Sequence, residues 1–331
     1  MKAPIVQETL ILLACLAAFR CPAQVAGYIN VSCPPGFSLI AVPVYGYPNN
    51  DPANLFDNTS GAYNGCEIFF WQNGTWAEYI ANNNPTPPAT ATNGWEESDG
   101  PMLLLPGAGA AFYNPSNAEI VLTLWGYLPQ GTLTNTLNPG LNLVSSIVPA
   151  SGDLSTNSVM AFPSLAGGQF DGDQVFLLFS SGDGSNGYTT YTVDSLSYNP
   201  PGNYGWDGLP GQPDPVLNVC QAFWYRAGNG AVQWTEHFTV SQVVWTNPVK
   251  SKTSSATGGF DDVWSSVMVK SRHFQATLTG QAGKSHVVEV SSDLRNWKPA
   301  GTNLWPSAKF AYTDPVPATN KMRFYRAFAL P

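Results

Sequence analysis

The chain has 331 residues, room for two or three domains, and an apolar share of 44 %, which supplies real cores and excludes global disorder. Charged residues make up only 11 % and the net charge is −8, which excludes the clustered basic surface that nucleic acid requires. Gly, Pro, Asn, Ser and Thr crowd the gaps between apolar runs, as expected of short strands joined by many turns.

Residues 1–23 read as a secretion signal. Lys2 supplies the positive start, Leu10 to Phe19 is an apolar run, and Cys21-Pro22-Ala23 fits a cleavage site cut after Ala23. The run is too short to span a bilayer comfortably. Neither Cys15, inside the run, nor Cys21, preceded by Arg20, suits a lipid anchor. The expectation is an exported chain, secreted or at the cell surface, with no membrane span once the signal is removed. Cleavage leaves Cys33, Cys66 and Cys220. An odd number implies at least one free thiol or an intermolecular bond, with a Cys33–Cys66 disulfide as an open alternative.

From residue 24 the sequence says nearly the same thing twice. Gly27, Pro35, Gly36 and Leu39 match Gly131, Pro139, Gly140 and Leu143 at an offset of 104. Gly65-Cys66 matches Gly172-Asp173 at 107; Gly94-Trp95 matches Gly205-Trp206, and Ala111-Phe112 matches Ala222-Phe223, both at 111. An offset that grows in one direction is the mark of a duplicated domain gaining loop residues. Residues 24–130 and 131–246 therefore read as two modules of one kind.

Within each module Pro-Gly leads into an apolar run, Phe37–Val44 or Leu141–Val148, long enough for a strand buried on both faces. A second run follows, Glu67–Trp71 or Gln174–Phe179. In the first module Asn73-Gly74 then marks a hairpin returning through Trp76 and Tyr79. Further strands end at Tyr113 and Tyr225, and alternating runs close each module at Ile120–Leu124 and Val232–Val240. No sustained helical periodicity occurs after residue 23. The expected fold is all-β: two tandem copies of a small antiparallel sandwich or barrel. Residues 247–262 form a polar Ser/Thr/Gly-rich linker, and 263–331, richer in Lys and Arg, read as a third, smaller β domain.

The pattern Trp71, Gly74, Trp76, Tyr79, with the Gly-rich approach Gly107–Tyr113, resembles repeated β modules of exported bacterial proteins. The tail, with "TLTGQAGKSHVVEVSSDLRNWKPAGTN", "FAYTDP" and "RFYRAFALP", resembles the C-terminal module of many secreted proteins of Verrucomicrobia-like and Planctomycetes-like bacteria, a shortened fibronectin III or immunoglobulin-like sandwich. The resemblance implies export and β architecture and carries over no catalytic residue.

Candidate chemistry is sparse. His237, His273 and His286 fall on separate strands as partly exposed residues and lack metal-ligand spacing. Calcium is the one cofactor with candidate ligands, the oxygens of Asp171, Asp173 and Asp183 in tight Gly-rich turns, although such turns use Asp and Gly for their backbone demands alone. Glu96, Glu97 and Asp99, or Asp171 and Asp173, offer carboxylates for glycoside hydrolysis, but loop carboxylates of an acidic chain are expected to be solvated. Aromatics are the strongest feature, because planar rings stack on sugar faces. Rings shared by both modules are expected to be core. The binding candidates are Trp76 and Tyr204, with Trp95 and Trp206 ambiguous. The reading is a non-enzymatic exported protein that binds an extracellular glycan or a cell-surface protein, with no nucleic-acid partner; a hydrolase is the alternative.

Overall fold

The computed structural model describes residues 24–331 apart from 73, 86–90, 98–99, 181–185, 201–202, 209–212, 241–262, 281 and 331. The expected signal and linker lie outside the described residues. The fold is all-β: the described residues contain twenty-two strands and a single four-residue α-helix, Pro52–Leu55. No helix among the described residues is long and apolar enough to cross a membrane.

The duplication is visible in the sheets. In the first module Gly36–Ala41, Gly109–Asn114, Glu67–Gln72, Thr75–Ala81 and Trp95–Glu97 lie side by side in that order. In the second, Gly140–Val144, Phe223–Ala227, Gln174–Ser180, Asn186–Val193 and Trp206–Asp207 repeat it. In each module the first strand also pairs with the last, Ala26–Cys33 with Ile120–Tyr127 and Gly131–Leu137 with Val232–Phe238. The Pro-Gly turns open these sheets through left-handed glycines, Gly36 at φ +87° and Gly140 at φ +95°. Alternation then separates the faces. Ile40, Ile68, Phe70, Tyr79, Trp95 and Phe112 fill one core; Val144, Val175, Leu177, Tyr191, Trp206 and Tyr225 fill the other.

Pairing register corrects one sequence match. Leu39 faces Ala111 and Leu143 faces Trp224. Ala111-Phe112 is therefore equivalent to Trp224-Tyr225, at an offset of 113, and not to Ala222-Phe223. A slip of two residues keeps every side chain on its own face, so the hydrophobic pattern could not reveal it. By the same register Cys220 stands at the position of Gly107. Both have positive φ, +62° and +92°. Cysteine thus occupies a backbone conformation that the first module assigns to glycine.

These two positions hold the modules together. Ala41 N–H donates to the Cys220 carbonyl at 2.9 Å, and Ser145 N–H to the Gly107 carbonyl at 3.0 Å. Bridges join Ile40 to Gln221 and Ala108 to Val144. In register terms these are one contact made twice with the modules exchanged, so the chain contains an isologous, dimer-like junction within itself.

The tail shares its sheet with the first module. Lys298–Leu304, Ser285–Ser291 and Met322–Ala329 continue directly into Ala26–Cys33 and Ile120–Tyr127 as one five-stranded sheet. Val263–Lys270, His273–Thr279 and Lys309–Pro317 form a separate sheet. Tail residues Trp264, Phe274, Trp305 and Tyr325 build one core with Ala26 and Tyr28, flanked by Trp125 and Tyr127. The Trp264 indole N–H donates to the Gln24 carbonyl at 3.0 Å. The change in composition near residue 262 is therefore not a boundary in the sheet. Among the described residues the second module receives no such cover: where the first has Tyr28 and Trp125, the second has Thr132 and His237, hydrogen-bonded to each other at 3.2 Å.

Candidate functional site

In the hairpin Glu67–Ala81, Ile68 and Phe70 point into the core, which turns Phe69 and Trp71 outward. Trp76 pairs directly with Trp71. In the second module Phe223 and Tyr225 point inward and Trp224 outward. The outer faces of the two sheets meet through Leu39, Ala41, Ala111, Leu143 and Ala222, and this contact brings Trp224 to the tryptophans of the first module. Ring centroids are 5.2 Å apart for Trp71–Trp76, 5.4 Å for Trp71–Trp224 and 5.6 Å for Trp76–Trp224, all edge-to-face. Each such pair contributes about 0.5–1.5 kcal/mol beyond its buried area.

Two indoles of this triad are anchored. Trp71 donates to the Leu141 carbonyl at 3.1 Å, and Trp224 to the Tyr188 hydroxyl at 3.3 Å. The rim is open: Trp76 is 45 % exposed, Tyr188 48 % and Phe37 43 %. A rigid apolar surface with hydroxyl and indole edges therefore faces solvent at the junction of the modules. Register places Trp71 opposite Leu178 in the repeat, Trp76 opposite Tyr188 and Trp224 opposite Ala111. The patch is built where the modules differ.

Two concavities lie elsewhere. A groove of about 1330 Å³ separates the first module, the loop before Phe223 and the tail; Asn30, Trp125, Cys220, Gln221, Arg272 and Lys321 are among its lining. A cavity of about 180 Å³ in the second module is lined by Leu154, Phe162, Tyr198, Tyr204 and Trp206.

Of the predicted aromatics, Trp76 lies in the patch and Tyr204 half-buried at the small cavity, edge-to-face with Tyr198. Trp95 and Trp206 are equivalent core residues, both buried, with the Trp95 indole donating to the Phe56 carbonyl at 2.6 Å. The sequence isolated Trp76 because it is not a tryptophan in the second module. It did not join Trp71 and Trp76 to Trp224 and Tyr188, because that contact crosses between modules. Alternation along Glu67–Gln72 was the available clue, since it exposes Trp71 on the face of Phe69.

The predicted calcium ligands are engaged within the protein. Asp171 accepts from Ser195 N–H and Oγ, both at 2.8 Å. Asp173 is buried and accepts from the Tyr225 hydroxyl at 2.7 Å and Gly228 N–H at 2.6 Å. Asp183 lies outside the described residues. Among those residues no cluster of three His, Cys, Asp or Glu side chains occurs. Of the carboxylates considered for hydrolysis, Glu96 accepts from the Asn82 amide, Asp99 lies outside the described residues, and Glu97 is pushed upward in pKa by burial and by Asp51. Asp51, which sequence reasoning missed, caps the short helix through Ala53 N–H at 2.8 Å.

His237 meets the Thr132 hydroxyl, and His273 the Asp314 carbonyl at 2.9 Å. His286 departs from expectation: it is buried, stacked 3.6 Å from Trp305, because its strand lies inside the shared five-stranded sheet.

Cys33, Cys66 and Cys220 are free thiols in the same core. Burial pushes Cys33 up to about 12 and Cys66 up to about 11, and raises Cys220 as well. A buried thiol that ionises only at high pH reacts slowly. Residues 24–331 at pH 8 should take up no Ellman reagent while folded and three equivalents in guanidinium; rapid native labelling, or one equivalent on unfolding, would contradict three buried thiols.

Comparison with protein-family models, curated proteins and solved structures finds nothing that matches the chain.

Proposed function

We propose that the chain is an exported, non-enzymatic binding protein that takes a glycan on the patch formed by Trp71, Trp76, Trp224 and Tyr188. One observation carries the reading: three indoles packed edge-to-face at 5.2–5.6 Å, two of them anchored by hydrogen bonds, with an exposed Trp76 at the rim. A preordered apolar platform costs little entropy on binding, and the C–H face of a pyranose is matched to it. Contiguous exposed aromatics at the meeting of two modules are unusual on a surface without a ligand to cover them.

The test is a glycan array on residues 24–331 beside Trp76→Ala. Retention of a glycan class is expected, reduced about tenfold by the loss of ~1.4 kcal/mol at one stacking ring. The substitution also removes two of the three ring pairs, so the melting transition should fall by a few degrees while the protein stays folded. An array with no retained glycan, or retention indifferent to Trp76→Ala, overturns the reading.

A further inference from the structure

The strand Gly131–Leu137 is the second module's equivalent of Ala26–Cys33, yet their edges differ. Ala26–Cys33 is paired on both sides, by Ile120–Tyr127 and by Met322–Ala329. Gly131–Leu137 is paired only by Val232–Phe238 among the described residues.

The first module shows what this edge holds. Met322–Ala329 runs antiparallel to Ala26–Cys33, with Gly27 opposite Phe324 and Tyr28 opposite Arg323. Asn30 N–H donates outward to the Lys321 carbonyl at 2.7 Å. Thr134 holds the position of Asn30, so its N–H points out of the open edge; alternation does the same for Thr132 and Thr136. The Phe324 ring lies over Gly27, where an added Cβ would stand 2.5 Å from Phe324 Cδ1. The corresponding Gly131 has nothing within 4 Å of that position.

The open edge also lacks the usual protection. Gly131–Leu137 (GTLTNTL) contains no lysine, proline or other charged residue, and its pairing with Val232–Phe238 is free of bulges. Its outer face is a polar ladder: Thr134 meets Thr235 at 3.0 Å and Thr136 meets Gln233 at 3.1 Å. That face is finished for water, so the edge suits a single strand and not a whole tail-like module.

We propose that the edge of Gly131–Leu137 docks an extended peptide strand of another protein, antiparallel, with an aromatic side chain over Gly131. The docked strand gains its affinity from backbone hydrogen bonds and its specificity from that ring.

The probe is a fluorescein-labelled peptide of residues 320–331 (NKMRFYRAFALP) titrated onto residues 24–331, whose first module is already filled by its own tail. Saturable binding is expected. Thr134→Pro removes an outward N–H and the exposed hydroxyl contact with Thr235, losses that an edge strand tolerates, so the protein should stay folded with its thermal transition shifted by no more than a few degrees. Peptide affinity should fall about tenfold or more through the lost hydrogen bond. From the ligand side, which involves no folding risk, the peptide with Phe324→Ala should weaken to a similar degree. Absence of saturable binding overturns the proposal, as does binding unaffected by both changes. A concentration-dependent dimer of the chain that Thr134→Pro dissolves would assign the edge to a second molecule of this protein, and likewise overturns the peptide partner.

Discussion

Replacing Glu236 by Gln should make the protein more stable at pH 8, by about 3 kcal/mol, and should flatten its stability between pH 4.5 and 7. Glu236 is fully buried on the strand Val232–Phe238, and burial pushes its pKa up to about 7 from the usual 4.5. Its Oε1 accepts from Ile147 N–H at 2.9 Å, and its Oε2 lies 2.7 Å from Ser146 Oγ, which in turn lies 2.8 Å from the Val148 carbonyl. A hydroxyl has one proton. With Glu236 protonated, the carboxyl donates to Ser146 and Ser146 donates to Val148, so every group is satisfied. With Glu236 ionised, Ser146 must turn to the carboxylate, and the Val148 carbonyl is left with Ala150 N–H alone, at 2.7 Å.

The sign follows from proton counts. Between pH 4.5 and 7 the unfolded chain releases this proton while the folded chain keeps it. Stability contributed by Glu236 is therefore complete below pH 4.5 and is lost as pH rises to 7, with no further change above. Gln reproduces the protonated pattern at every pH, its carbonyl accepting from Ile147 and its amide donating to Ser146. Glu236→Ala should cost about 3 kcal/mol or more below pH 4.5, because it orphans the Ile147 N–H and leaves a cavity, and the cost should shrink as pH rises to 7, where the wild type loses the contribution of its protonated carboxyl. Urea melts of wild type and both variants from pH 4 to 9 read the difference directly. If wild type and Glu236→Gln run parallel across that range, the buried carboxyl does not carry the proton.

Glu236 also shows what could be read from the sequence. The alternation Val232, Trp234, Glu236 puts it on the inner face, and a buried acid among large apolar residues is a visible anomaly. Its partner was not visible. Register makes Glu236 equivalent to Leu124 and Ser146 equivalent to Val42, so the second module replaces an apolar contact by a polar one at two positions about ninety residues apart. Duplication, strand positions and Pro-Gly turns were legible because each rests on a local rule, the period of two or a glycine at positive φ. The register at Cys220 was not, because a two-residue slip leaves the pattern intact. The docking of the tail was not, because Asn30 and Ala318, joined at 3.0 Å, are 288 residues apart. The relevant difference was nevertheless in the sequence: Tyr28 and Trp125 against Thr132 and His237 distinguish the covered module from the open one. The aromatic patch divides in the same way. Trp76 could be picked out as unshared, but its company depends on how two modules meet.

Phe324→Ala should destabilise the first module and the tail together, by about 3–5 kcal/mol. Phe324 belongs to the tail strand, yet its ring is fully buried in the first module's core over Gly27, beside a strand whose other face carries Tyr28 into the tail's core. The two cores therefore share a sheet that neither can keep alone. Removing residues 263–331 should be more severe: it uncovers Ala26, Tyr28 and Trp125 and strips one edge of Ala26–Cys33 of its partner. Residues 24–262 are expected to be insoluble, or soluble only with strong binding of a hydrophobic dye. Hydrogen exchange on Phe324→Ala separates this account from an autonomous tail. Protection should fall in concert across residues 26–33, 120–127 and 285–291, while 174–180 in the second module keeps more of its protection. Loss confined to the tail, or a 24–262 fragment that melts like the full chain, would mean that the shared sheet contributes little to folding.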